Sequence, residues 1–325
     1  MKGSRKRAYI GIDIGGTNLR LALVDDQGTM LHKTRCRTDI HHGRQAFITL
    51  LDKGIQALMR AAGESGVEPA GIGAGVPGLV SNEGHVYVSV NLRPLDGVNL
   101  RDELQALTGL PTVVANDVNA FAFGEHRYGA GREYKSFLMV TLGTGVGGGL
   151  ILDGRVWTGA DGVAGEFGHM TVEPEGRPCP CGNRGCLEQY ASASALVAAA
   201  KEMLRRNGDL FGAGHHQGEL STRMLAAAAQ GGNPEALALF AGAGRYLGIA
   251  CASVANLLNL EAVIVGGGVA ASFDLLGESM RQEVVARAFP IPGKRLMIRQ
   301  AALGDDGGVL GSAALAMNIL HGRDS

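Results

Sequence analysis

Apolar residues in this chain gather in short runs, and most of those runs stop at glycine. Residues 8–14 read as a strand that runs into Gly15-Gly16-Thr17. A second apolar run, Leu19 to Val24, follows, and Asp25-Asp26-Gln27-Gly28 reads as a hairpin turn to a third strand. The period then changes: Phe47, Ile48, Leu51, Ile55, Leu58 and Met59 recur at helical spacing between Gln45 and Ala62. Gly71 to Gly78 reads as a strand ending in a turn, and residues 111–115 as a short strand that hands over at Asn116-Asp117 to a helix from Val118. Further helices are expected over 193–206, 219–230 and 309–320, and from Asn233-Pro234 (cap and first position) to about Leu258. Residues 262–268 read as a buried strand running into a glycine turn.

The pattern repeats. Tyr9 to Arg20 lines up with Phe137 to Gly148, each an apolar strand meeting a Gly/Thr turn, then a second apolar run and a hairpin at Gln27-Gly28 or Asp153-Gly154. A repeat on this scale predicts two related α/β units rather than a short-period solenoid. The break between them is expected in the polar, glycine-rich stretch 125–136.

With 325 residues the chain is long enough for two domains, each with a core. No run approaches 18 consecutive apolar residues, so no membrane span is expected. The basic start, residues 1–7, lacks a signal-peptide pattern and reads as a solvated tail. A net charge of −1 leaves no electrostatic footprint for nucleic acid or an anionic membrane. Five cysteines, three of them clustered, fit a reducing compartment better than a disulfide scaffold, which points to the cytoplasm. The 51 glycines fall at apparent strand ends, which points to loops that wrap phosphate.

Candidate chemistry concentrates at four places. The Gly15-Gly16-Thr17 turn exposes N–H groups and a hydroxyl to an anion, with Asp13 at its lip. A carboxylate there repels phosphate unless a cation intervenes, which suggests Mg²⁺, directly or through water; a plain hairpin is the alternative. Asp117 sits where a helix begins, and so could be a helix cap and nothing more. Glu166 and His169 are spaced to share one helical face, and Glu188 follows. Cys179, Cys181 and Cys186 with one imidazole suit tetrahedral Zn²⁺; a redox pair or buried thiols is the bland reading. Cys36 and Cys251 read as small buried hydrophobes. A Gly-x-x-x-x-Gly-Lys-Ser/Thr loop is absent from the sequence, and no Rossmann glycine fingerprint follows the first strand.

Taken together, Asp13-Ile14-Gly15-Gly16-Thr17, Asn116-Asp117, Leu142 to Gly145, Gly165 to His169, Cys179-x-Cys181-Gly182-x-x-Gly185-Cys186 with Leu187-Glu188, and Gly266 to Gly268 resemble the ROK family, within the actin-like ATPase and hexokinase-like superfamily. The resemblance implies two actin-like ATPase (ribonuclease H-like) α/β domains with a cleft between them and a zinc-binding segment in the second. Residues 1–125, completed by a C-terminal helix at about 308–325, would form the smaller domain, and 126–307 the larger. It implies a cytoplasmic, glucokinase-like sugar kinase using ATP and Mg²⁺ with structural Zn²⁺, and a homodimer. Asp117 matches the family's catalytic base. Asn116, Asp117, Glu166, His169, Glu188 and the loop residue Asn91 match sugar-binding positions. His169, Cys179, Cys181 and Cys186 match the zinc ligands. Gly15, Gly16, Thr17 and Asn18 with Gly143, Thr144 and Gly145 match the phosphate loops, with Asp13 toward magnesium. Gly266 and Gly267 match the adenosine side.

The sugar stays open. Val90 before Asn91 and Leu95 further on depart from the frequent glucokinase form, which has Pro and Trp there, so N-acetylglucosamine, N-acetylmannosamine, mannose, fructose or allose compete with glucose. A sugar-responsive repressor of the same family would carry a winged helix before the first strand, where this sequence has only a few residues. A kinase-like subunit that binds sugar without turnover would gain nothing from Asp117.

Overall fold

The computed structural model describes residues 6–89, 91–207, 220–320 and 322. Residues 1–5 of the expected tail, residue 219 at the start of an expected helix, and 321 and 323–325 at the end of another lie outside the described residues. In chain order the strands and helices begin with β1 (Lys6–Ile14), β2 (Asn18–Asp25), β3 (Met30–Arg37), α1 (Arg44–Glu64), β4 (Val67–Val76) and β5 (Leu79–Val80). They continue with β6 (His85–Val88), β7 (Val98–Asn99), α2 (Leu100–Thr108), β8 (Thr112–Asn116) and α3 (Asp117–Tyr128). Then come β9 (Phe137–Leu142), β10 (Val146–Leu152), β11 (Arg155–Trp157), α4 (Glu188–Ala191), α5 (Ala193–Asn207) and α6 (Thr222–Gln230). The chain closes with α7 (Pro234–Leu258), β12 (Ala262–Gly266), α8 (Phe273–Arg287), α9 (Pro290–Arg295), β13 (Met297–Gln300) and α10 (Gly307–Leu320).

The repeat reappears as topology. One five-stranded sheet has the order β3-β2-β1-β4-β8 and the other β11-β10-β9-β12-β13. In the first, β1 is antiparallel to β2 and parallel to β4, and β4 is parallel to β8. In the second, β12 is parallel to both β9 and β13. A small sheet, β5-β6-β7, lies outside the repeat.

Two compact units emerge. The first takes the chain to Lys135, Gly149–Gly165 and the part from Ala302 onward; the second takes Ser136–Gly148 and Glu166–Ala301. The expected break at 125/126 falls inside α3, and Gly154 N–H bonds the Lys135 carbonyl, so residues 126–135 stay with the first unit.

Within the first unit, the alternation of strand side chains sorts β1 between two cores. Ala8, Ile10, Ile12 and Ile14 join Phe47, Leu51, Ile55 and Leu58 of α1. Tyr9 joins Val309, Ala313, Ala316 and Met317 of α10. Each buried Ile, Leu, Val, Phe or Met side chain among these contributes roughly 1.5–3 kcal/mol relative to exposure.

The glycines of this second core correct the phosphate-loop reading of the glycine share. A Cβ on Gly11 would lie 2.1 Å from Val309 O, and one on Gly73 would lie 1.8 Å from Ser312 O. Gly124 of α3 and Gly311 of α10 are equally crowded, at 2.6 Å from Gly307 O and 1.8 Å from Ala120 O. These glycines let α10 lie on bare backbone.

In the second unit α7 starts as expected, with the Asn233 side chain accepting from Ala236 N–H at 2.9 Å and Pro234 in the first turn. By length and composition it is the one helix among the described residues that could cross a membrane, but half of that stretch is buried in the fold. Its Gly244 and Gly248 sit against the α8 backbone.

Candidate functional site

In the first unit, β1 turns into β2 through a Gly15 N–H bond to Asn18 O at 2.9 Å. A buried threonine that the sequence reading passed over, Thr38, fastens this turn: its hydroxyl donates to Gly15 O and its N–H to Thr17 O. The Asn18 carboxamide oxygen accepts from Arg35 Nε and a second guanidinium nitrogen, at 3.1 and 3.0 Å. Gly16 lies against Asn91, whose Cβ would be 3.2 Å from a Cβ on the glycine.

Asp13 has a cation beside it, an arginine. Arg20 donates to its carboxylate at 3.0 Å and lies 3.5 Å from Asp305. Burial raises the Asp13 carboxyl above its ordinary range, Arg20 opposes this, and Asp305 adds to it. Hairpin register could have found Arg20, since the two residues face each other across β1 and β2.

At β8 the chain enters α3, and the cap is Asn116, not Asp117. Asn116 Oδ1 accepts from Val118 N–H at 2.9 Å and Asn119 N–H at 3.1 Å, and its amide donates to Gly78 O at 3.0 Å. That leaves one amide N–H for a ligand. Asp117 takes the first helical position, where the helix dipole favours a carboxylate, and its Oδ1 accepts from Val118 N–H at 3.0 Å.

In the second unit, Gly143 N–H bonds Gly145 O at 3.0 Å and closes the matching turn. Ala193 N–H and the Ser194 hydroxyl brace it through Gly143 O and Thr144 O, both at 2.8 Å. Glu188, at the start of α4, accepts from Val146 N–H at 3.0 Å. A Cβ on Gly145 would be 2.3 Å from that same carboxylate, so a side chain here would displace Glu188. Glu166 and His169 bracket a 3₁₀ turn at Phe167–His169, with His169 Nε2 3.8 Å from Glu166 Oε2. Burial raises the Glu166 carboxyl, His169 lowers it, and the charge of Glu188 raises it further. The three polar residues therefore form one constellation.

The other face of the same imidazole meets the cysteines. His169 Nδ1 is 3.8 Å from Cys179 Sγ, and Cys181 Sγ is 3.6 Å from Cys186 Sγ. All four ligand atoms lie within 4.8 Å of one another. Tetrahedral zinc with Zn–S near 2.3 Å puts sulfurs about 3.8 Å apart, so the donor set fits that ion. Asn183 and Gln189 amides point at Cys186 and Cys179 sulfurs, at 3.5 and 3.6 Å, as groups around thiolates do. The Asn183 backbone N–H brings the Cys181 thiol down to about 7, whereas burial pushes Cys186 up to about 12.

A cavity of about 690 Å³ opens beside the Gly143-Thr144 turn and is lined also by Gly268, Ser272, Phe240 and the first turn of α6 from Thr222. Of the Gly266–Gly268 turn, Gly268 lines it and the expected Gly266 and Gly267 do not; Gly267 packs on Leu142, whose carbonyl would be 2.6 Å from a Cβ there. The contribution of α6 was not legible beforehand, because an Ala-rich helix carries no chemical motif.

Two like-ordered mixed sheets flanked by helices define an α/β protein of the actin-like ATPase fold. The ROK family sequence model matches residues 9–319, and the chain belongs to that family. It is 36% identical over 313 residues to a glucokinase of Halalkalibacterium halodurans, covering 95% of this chain and 94% of that one. A xylose repressor of Caldicellulosiruptor bescii is 30% identical over 314 residues, covering 96% of this chain and 78% of the repressor. Among solved structures, a ROK hexokinase from Thermus thermophilus superposes with a TM-score of 0.81 at 32% identity, over 97% of this chain and 99% of its own. A ROK family glucokinase from Streptomyces griseus, in complex with glucose and AMPPNP, gives 0.79 at 34% identity, over 96% and 99%.

Proposed function

We propose that this ROK family member is a sugar kinase that transfers the γ-phosphoryl group of ATP to a hexose hydroxyl, with glucose as the preferred acceptor. The relatives named glucokinase and the complex with glucose and AMPPNP support the reaction class. The observation that carries the reading is the junction at Glu188, whose carboxylate is held by Val146 N–H beside the Gly143–Gly145 turn while its charge reaches Glu166. A sugar grip and a phosphate turn thus share one carboxylate.

In this reading Asp117 is the general base. It orients the acceptor hydroxyl and takes its proton late in a transfer that needs positioning and charge neutralisation more than covalent help. Glu166 and Glu188 accept from the sugar hydroxyls and His169, with Nδ1 turned to the cysteines, donates through Nε2–H, with Asn91 and the remaining Asn116 N–H as further partners. Thr144 and Gly268 line the nucleotide's cavity, and Gly15 to Thr17 complete the phosphate contacts. Mg²⁺ bound with the nucleotide would neutralise charge on the transferring phosphate, and Asp13 would hold it, directly or through water. His169, Cys179, Cys181 and Cys186 would hold Zn²⁺ as a structural ion, with all four positions filled by protein. The enzyme is read as cytoplasmic and homodimeric, with zinc held in the second unit, which is the smaller of the two and not the larger as expected.

ATP-dependent ADP release against glucose, mannose, fructose, allose and the two N-acetyl amino sugars, compared as kcat/KM, tests this. Glucose is expected to lead the panel; turnover with none of the sugars would end the kinase reading. The likeness to a repressor spans the same residues, so it does not separate sugar binding from turnover. Asp117→Asn does: sugar binding is retained and kcat falls at least about 10²-fold. A near-wild-type rate would remove Asp117 as base.

A further inference from the structure

Glu125 is the one glutamate among the described residues with no solvent exposure, and nothing in the reaction above uses it. It lies in the last turns of α3, the helix whose first residue is Asp117. Its side chain accepts three backbone N–H groups: Ala130 at 2.7 Å, Ala302 at 3.2 Å and Leu303 at 2.8 Å. Its own carbonyl accepts two more, from Gly129 at 3.0 Å and Gly131 at 2.9 Å. A Cβ on Gly129 would be 2.0 Å from Glu125 Oε2, so a side chain there would push the carboxylate from its place.

The bonded segments are places where the chain leaves and re-enters the first unit. Ala130 precedes the exit at 135/136, and Ala302 and Leu303 follow the return at 301/302. α3 also packs on α10 backbone through Gly124 and Gly311. One buried side chain therefore fixes the far end of the Asp117 helix to both segments of chain.

We propose that Glu125 is a positioning residue for phosphoryl transfer, holding α3 in the register that places Asp117 on the acceptor hydroxyl. This rests on Asp117 being the base. A glutamine is the same length, but its amide must turn an NH₂ group toward either Leu303 N–H or the Ala130 and Ala302 pair, so at least one bond becomes a donor–donor clash. An aspartate is one methylene shorter and loses reach to both segments. Misplacing a catalytic group by about 1 Å costs on the order of 10²-fold in rate.

The test combines amide hydrogen exchange with steady-state kinetics on Glu125→Gln and Glu125→Asp, each well below its own melting temperature. The expected result is faster exchange at Ala130, Ala302 and Leu303 and a kcat lower by about 10–100-fold. Sugar KM should stay within about threefold, because the sugar grip belongs to other residues. The loss should be smaller for Gln, which keeps the length, than for Asp. A structural role alone would lower the melting temperature and leave kcat unchanged. Unchanged kcat with these amides exchanging freely overturns the proposal, and so does wild-type protection of the three amides in both variants. Should neither variant fold, Gly129→Ala displaces the carboxylate from outside and carries the same expectation. Asp117→Asn, assayed alongside, separates the two levels. If it turns over normally, the base assignment fails; if it is inactive while the Glu125 variants keep kcat, only the Glu125 proposal fails.

Discussion

At Asp13 two effects on one carboxylate oppose each other, and burial wins over the Arg20 guanidinium 3.0 Å away. The folded chain therefore holds the Asp13 proton to higher pH than the unfolded chain does. Its contribution to stability is fully present below the ordinary aspartate range and is lost as pH rises through the raised folded value. Asp13→Asn should accordingly be at least as thermostable as wild type at about pH 7, with that advantage gone by about pH 4. MgATP affinity should meanwhile fall by about 10–100-fold. Melting curves across pH check the first part; a variant less stable than wild type at neutral pH only would mean that the arginine pair dominates. Asp13 and its neighbouring glycines stood out as a candidate site because a carboxylate at a Gly-Gly-Thr turn is a chemical oddity. Arg20 and Thr38 were not, because their roles depend on strand register and on a loop returning 23 residues later.

The cysteine segment shows the same division between what spacing encodes and what packing decides. Cysteines 179, 181 and 186 were readable from their spacing, and the imidazole joins them through Nδ1 while Nε2 faces Glu166. What spacing did not encode is that Asn116 absorbs the capping role once open to Asp117, or that Glu188 is pinned to Val146 N–H. Elements with strong periodicity or punctuation, such as α1 and α7, appear within two residues of expectation. The two-residue strands β5 and β7, and the run α8 to β13, were not anticipated, because short strands and a weakly amphipathic helix leave little periodic signal. Since His169 lies between the cysteine cluster and Glu166, the proposed function has the loss of zinc act on substrate affinity before chemistry. Cys181→Ser should bind less than one zinc per chain and raise sugar KM about tenfold or more, with kcat much less affected. Metal analysis and kinetics on the same preparation check this, and a zinc-free wild type with full activity would rule it out.

On the scale of the molecule, the last helix of the chain completes the first unit, and the glycine count reflects this as much as any phosphate turn. α10 lies on β1 and β4 so closely that Gly11 and Gly73 have carbonyls where side chains would begin. The contact is backbone on backbone, so a methyl group at Gly73, 1.8 Å from Ser312 O, has no rotamer by which to escape. Either α10 moves off the sheet or β4 bends, and Tyr9, Val309, Ala313 and Met317 lose packing in both cases. Overpacking of this kind costs typically 1–3 kcal/mol, occasionally more, so Gly73→Ala should lower unfolding free energy in urea by at least about 2 kcal/mol. Gly63, in the exposed last turn of α1 with nothing within 4 Å, is the matched control. There the same substitution trades backbone entropy for helix propensity and should stabilise by about 0.5–1 kcal/mol. If both variants shift stability in the same direction and by the same amount, then close approach is not what requires glycine in the strands, and the seating of α10 has to be explained by its side chains alone.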